Sequence, residues 1–230
     1  MCGRFALYSD KSQLELFLGI GLPLDIAVRY NIAPTQSCLF LKAEEKGRLN
    51  PSILNWGLIP SWASDKSMAG KMINARAESI SEKPSFKSAI RKRRGIIPAN
   101  GFYEWMKIGK SKHPYFISAK DRPLLGFAGI WERNQNIGTT SMETFSIITT
   151  EANEDMNKIH DRMPLILPRG DWEKWLNHEL DFDAEISPML TPPASGLVKT
   201  MEVGTFVNKV GNDSSNCLAP PQADLFSNLD

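Results

Sequence analysis

The sequence predicts a mixed α+β fold in a single domain, and three observations carry that prediction. Apolar runs bounded by Pro, Gly, Asn or Asp recur at 38–41, 53–56, 115–117, 124–131 and 145–150, each of strand length. Helical patterns at 85–93, 151–159 and 171–176 interrupt them without regular alternation, which argues against a doubly wound sheet. The chain has 230 residues with 42% apolar content, enough to bury one sizeable core.

In chain order, Ser9-Asp10 supplies a cap for a helix carrying Leu14, Leu16, Phe17 and Leu18, and Gly19 stops it. The strand-length runs follow with the two helical patterns around Ser85 to Arg93 and Glu151 to Ile159, and a third begins at Asp171. The domain is expected to occupy 1–210. A flexible polar tail rich in Asn, Ser and Pro is expected over 211–230.

Composition excludes several classes. Lys and Arg number 27 against 26 Asp and Glu, so a basic surface has to be local rather than global. The run "KSAIRKRRG", Lys87 to Gly95, is the obvious patch of that kind, with a solvated helix face as its plainer explanation. Three cysteines, Cys2, Cys38 and Cys217, without a CxxC pair, argue for a reducing compartment and against a disulfide framework or cysteine-bound zinc. The histidines His113, His160 and His178 are scattered, so no metal cluster and no cofactor is expected. With no apolar leader and no run of about 18 apolar residues, the expectation is a cytoplasmic protein with no membrane association, at the nucleoid if the source is bacterial; a monomer is expected separately.

Polar residues beside structure-breaking punctuation mark four stretches: "MCGRF", "INARAES", "GFYEW" and "IHDRMP". Singly, each has an ordinary explanation. His160 reads as a hydrogen-bonded structural histidine, Glu104 as the solvent face of a strand, Asn74 as a turn or cap, and Arg76 and Arg162 as surface charges.

Together, with "RYNIAP" at 29–34 and "WGLIPSWA" at 56–63, these six ordered motifs make the chain resemble the SOS response-associated peptidase (SRAP), or abasic-site processing, family over most of its length. The resemblance implies one α+β domain with a curled, barrel-like sheet, single-stranded DNA as partner, and covalent attachment to abasic sites through residue 2. Carried over motif by motif, it implies Cys2 as nucleophile with Asn74, Glu104 and His160 as polar partners. Arg4, Arg76 and Arg162 become phosphate contacts, with Trp62 as a stacking face for an unpaired base. The chain departs from the family at "VNKVGND", 207–213, where Lys209 stands in place of an asparagine; Lys209 is carried as a DNA-contact candidate.

The chemistry explains these residue types. Small side chains at Cys2 and Gly3 favour removal of Met1, which leaves an α-amine and a thiol on one residue. An α-amine with a pKa of about 7.8 is roughly a tenth neutral at pH 7, whereas a lysine at about 10.4 is under a thousandth neutral. The amine therefore attacks the open aldehyde of an abasic sugar, and the thiol closes the resulting imine to a five-membered thiazolidine. Glu104 and His160 are suited to move protons near neutrality, and Asn74 both donates and accepts.

The alternative class is an N-terminal-cysteine thiol hydrolase: either amidotransferase-like, whose members share the opening Met-Cys-Gly, or a peptidase using Cys2 with His160 and Asn74, with the protein's own first bond among its targets. A separate partner is expected from the tail. There "QADLF" resembles the peptide that docks bacterial repair proteins on the sliding clamp, through Gln222, Leu225 and Phe226.

Overall fold

The computed structural model describes residues 2–43 and 49–222, and those residues form twelve strands and three short α-helices. Strand β1 (Arg4–Leu7) lies between β2 (Arg29–Ile32) and β7 (Gly101–Ile108) in a five-stranded sheet that continues through β8 (Ser111–Ala119) to β12 (Val198–Glu202). The second sheet contains β3 (Ser37–Ala43), β4 (Leu49–Trp56), β6 (Arg94–Ala99), β9 (Leu125–Asn134) and β10 (Met142–Glu151). It closes on itself, because β10 pairs with β4 in parallel and with β9 antiparallel. Closure into a mixed barrel removes the free edges of those five strands. Beyond the ring, β5 (Asn74–Arg76) and β11 (Arg162–Pro164) both extend from β10.

The elements obey local rules. Helix α1 (Lys11–Leu18) starts at a capping box between Asp10 and Gln13 and ends where Gly19 adopts a left-handed φ of 70°. Helices α2 (Lys87–Lys92) and α3 (Trp172–Leu176) fall where periodicity placed them. The 151–159 stretch corrects the prediction: β10 runs through Glu151 and β11 begins at Arg162, so a succession of turns fills the gap. Asn153 sets those turns, its side chain accepting from the Asp155 amide and its carbonyl from Met156 and Asn157.

The core lies inside the barrel and between the two sheets. Phe5 from β1 packs edge-on against Trp56, with ring centres 5.2 Å apart, and against Phe127 from β9. Burying a side chain of this size removes about 1.5–3 kcal/mol worth of apolar surface from water. That packing anchors β1 to the barrel from its second residue onward. Gly101 lets β7 lie close to β8: a Cβ there would come within 2.4 Å of the Ile117 carbonyl oxygen and 2.5 Å of the Phe116 ring.

The segment expected to be a loose tail is packed as far as it is described. Asp213 pairs with Arg29 and accepts from the Tyr30 and Asn31 amides, and Cys217 is fully buried against Tyr103 and Phe116. The polarity of "GNDSSN" satisfies backbone donors of β2, which is why it reads as linker in sequence. Leu225 and Phe226 of the clamp-like peptide lie outside the described residues, as does Met1. No helix among the described residues is long and apolar enough to cross a membrane.

Candidate active site

The site forms where β1 begins. Arg4 pairs with Tyr103 across the β1–β7 ladder, so the two residues before Arg4 run beside Glu104 and Trp105. Cys2 is buried there, its Sγ 3.9 Å from the Arg4 carbonyl oxygen. Asn74, on the strand parallel to β10, donates from Nδ2 to the Cys2 carbonyl at 2.8 Å. The Asn74 Oδ1 atom is buried and has no hydrogen-bond partner among the described residues. Trp56 positions this strand, its indole N–H donating to the Ile73 carbonyl at 2.8 Å.

Glu104 and His160 face each other across the opening, with His160 Nε2 4.0 Å from Glu104 Oε2. The Arg162 amide donates to His160 Nδ1 at 3.0 Å, and Asp161 Oδ1 lies 2.7 Å from the same nitrogen. These two partners suit two charge states. A neutral ring accepts from Arg162 and carries its proton on Nε2; a protonated ring donates from Nδ1 to Asp161.

Burial dominates the electrostatics. It pushes the Glu104 carboxyl up to about 7, against the lowering pull of the terminal ammonium and of a backbone hydrogen bond from Trp105. The Cys2 thiol is pushed well above its ordinary value by burial and then by the Glu104 carboxylate, so it stays a thiol at neutral pH. Burial also lowers His160, which favours the neutral ring.

A groove of about 420 Å³ opens onto Glu104 and His160, lined with them by Arg4, Trp105, Lys112 and Asn208, while Cys2 is buried behind it. Its far wall is a hydrogen-bonded unit. Arg4 donates to Asn31 Oδ1 (2.8 Å), the Val207 carbonyl (3.0 Å) and the Asn208 carbonyl (3.2 Å). Asn31 in turn donates to the Val207, Lys209 and Asn212 carbonyls, and Trp105 Nε1 donates to Asn208 Oδ1 at 2.7 Å. The fully buried Asn31 thus clasps the 207–213 loop to β2 and to Arg4.

Of the residues singled out in sequence, Cys2, Arg4, Asn74, Glu104 and His160 converge here. Others stand apart from the groove. Trp62 is 59% exposed on a loop that Asn134 ties down at the Pro60 and Ala63 carbonyls. Arg76 is exposed at the end of β5. Arg162 forks onto Glu78 at 2.6 and 3.0 Å and also donates to the Thr149 carbonyl. The Lys209 side chain is exposed beside Asn208. Trp105, Asn208 and Asn31 lay inside quoted motifs without being marked, because their partners are one another, Arg4 and backbone carbonyls, which leave no signal in the sequence. Lys112 had none either. Among the described residues, no group of three His, Cys, Asp or Glu side chains is placed to hold a metal ion.

The run Lys87 to Gly95 is largely spoken for. Arg93 pairs with Glu132 at 2.7 Å and Arg91 with Asp183 at 3.6 Å. Arg94 is fully buried among the Ile90, Arg91, Trp175 and Asn177 carbonyls, which terminate α2 and α3.

Fold and site define an α+β domain that holds a residue-2 thiol beside a carboxylate and an imidazole. The family described as SOS response associated peptidase (SRAP) matches residues 1–210. "Abasic site processing protein YoaM" of Bacillus subtilis is 39% identical over 226 residues, covering 95% of this chain and 97% of that protein. "Abasic site processing protein YedK" of Escherichia coli is 33% identical, covering 96% and 100%. A crystal structure of a Bacteroides thetaiotaomicron protein superimposes with a TM-score of 0.83 at 30% identity, covering 95% of this chain and 99% of that one. The chain belongs to the SRAP family.

Proposed function

We propose that this protein processes abasic sites in single-stranded DNA by forming a thiazolidine crosslink through Cys2 once Met1 has been removed. The observation that carries the reading is the convergence of Cys2, Asn74, Glu104 and His160 at one end of β1. The names of the relatives, all abasic site processing proteins, support the same substrate.

The steps balance as follows. The α-amine of Cys2 attacks C1′ of the ring-opened sugar, and the carbinolamine loses one water to give an imine. The thiol then adds to the imine carbon. A C–S bond forms, the thiol proton ends on nitrogen, and the net change is loss of one water. Because the buried sulfur stays protonated, nitrogen acts first and sulfur second. A carboxyl pushed up to about 7 is suited both to take a proton from the ammonium, freeing the amine that attacks, and to return it to the departing hydroxyl. The neutral His160, with its proton on Nε2, is suited to assist ring opening of the sugar. Asn74 fixes the Cys2 carbonyl and with it the direction of the amine. Arg4, Arg76, Arg162 and Lys209 would hold flanking phosphates, with Trp62 stacking an unpaired base. The product shields the lesion, since a closed ring lacks the iminium that promotes strand scission.

Incubation of the trimmed protein with an oligonucleotide bearing an abasic site tests this. The expected intact mass is protein plus oligonucleotide minus one water, stable to heat and lost in Cys2→Ala. Absence of any joined species with protein of verified trimming overturns the proposal. The competing hydrolase reading predicts turnover of glutamine or peptide instead. Self-removal of Met1 is scored in the same spectra, as retention of Met1 in Glu104→Gln but not in the parent protein.

A further inference from the structure

We propose that the β7–β8 hairpin is a docking strip for a nucleic-acid strand, its lysines holding phosphates beyond the groove that receives the lesion. The inference rests on the DNA-processing reading above and extends it to a surface that reading leaves unused.

Three observations carry it. Lys107, Lys110 and Lys112 are all exposed at the hairpin end, and none has a carboxylate within ion-pair distance among the described residues. Nearby cations differ: the adjacent His113 is paired with Glu202 at 3.0 Å, and the three arginines Arg91, Arg93 and Arg94 of the basic run are paired or buried. Secondly, Lys107 stands directly opposite Lys112 in the antiparallel ladder. Like charges facing each other across two strands destabilise a sheet, so the pair is a local cost that an anionic ligand would relieve. Thirdly, the strip is continuous with the groove. Lys112 lines it with Arg4, Trp105 and Asn208. Alternate residues of a strand and directly opposed residues share a face, so Trp105, Lys107 and Lys112 lie on one side of the sheet. An indole in line with unneutralised lysines matches an unpaired strand, whose bases stack while its phosphates need cations; an acidic protein would call for the charges alone.

The test uses the full-length protein and lesion-free fluorescent oligothymidylates of about five and about twenty nucleotides, the short one being too short to leave the groove. The variant is Lys107→Gln/Lys110→Gln, which spares the groove-lining Lys112. For the long oligomer, the slope of log affinity against log salt is expected to flatten by about 1.4, near 0.7 for each single-strand phosphate that is no longer neutralised. The parent's advantage should then narrow about sevenfold between about 50 and about 200 mM salt. Affinity for the short oligomer should not change, and the thermal midpoint should hold or rise as the cross-strand repulsion is relieved. An unchanged slope with the long oligomer overturns the proposal. So does loss of polyglutamate binding with DNA binding intact, which would assign the hairpin to an acidic protein. If the parent binds the long oligomer through these lysines but forms no adduct with an abasic site, the strip stands and the crosslinking reading fails.

Discussion

The two walls of the groove are built on opposite principles. On the Glu104 and His160 side, burial displaces the proton affinities, and the Asn74 carboxamide keeps a buried oxygen without a hydrogen-bond partner among the described residues. On the Arg4 side, Asn31, Asn208 and the 207–213 carbonyls meet one another's hydrogen-bonding needs. A wall with shifted proton affinities suits chemistry, since its groups change charge at small cost. A saturated wall suits binding, since its geometry is held before the ligand arrives. The division makes distinct predictions for substitutions on either side.

The largest expected effect is on the chemical wall. Glu104→Gln should slow adduct formation at saturating DNA by about 10²-fold or more. It should also flatten the pH profile, because the parent rate rises as the carboxylate forms at about 7. Stability should move the other way. A carboxyl raised from 4.5 to about 7 binds its proton more tightly folded than unfolded, so the parent loses stability as pH rises between those values. The loss is about 3 kcal/mol at most, and Glu104→Gln should abolish it, which denaturant titrations at acidic and alkaline pH would reveal. A variant that keeps both the parent rate and the parent stability profile would remove Glu104 from the proton path.

An intermediate effect belongs to the binding wall. Asn31→Ala strips Arg4 of an acceptor and leaves the 207–213 loop without its clasp. The expected cost is about 2 kcal/mol of stability and about tenfold in affinity for lesion-free single-stranded DNA. The rate at saturating DNA should be retained. Equal loss in both quantities would show that the walls are not separable.

How far the sequence revealed this arrangement differs between the walls for the same reason. Glu104, His160 and Asn74 stand out as titratable or carboxamide groups in punctuated motifs, and four of the six signature stretches meet around them. The Arg4 wall depends on residues some 200 positions apart, brought together by carbonyl oxygens that every residue possesses, and no side-chain pattern announces those. Asn31 was legible only as part of "RYNIAP". The two sheets follow the same logic. The apolar barrel strands β3, β4, β9 and β10 were visible as runs, whereas β1, β2 and β12 of the other sheet are short or polar and become strands through their partners. The basic run at Lys87 to Gly95 was the most conspicuous charge in the sequence, yet burial and pairing use most of it. Three lysines scattered over a hairpin carry more available charge.

The smallest expected effect decides whether Arg162, outside the groove, holds DNA or braces His160. Its guanidinium forks onto Glu78 and is 12% exposed, while the Glu78 carboxylate is 49% exposed and held below its ordinary range by that guanidinium. A carboxylate in this fork occupies the position a phosphate would take. If Arg162 holds DNA, Glu78 is its competitor, and Glu78→Gln should raise affinity two- to threefold, a change of under about 1 kcal/mol. It should also steepen the salt slope by about 0.7. We expect that outcome, because neutralising Glu78 leaves a cation whose remaining partner is the Thr149 backbone and hydroxyl. The opposite result has its own signature. An unchanged slope with a slower rate at saturating DNA would make Arg162 a brace, since its amide also holds His160 Nδ1 and a loosened β11 would misdirect the imidazole that faces Glu104.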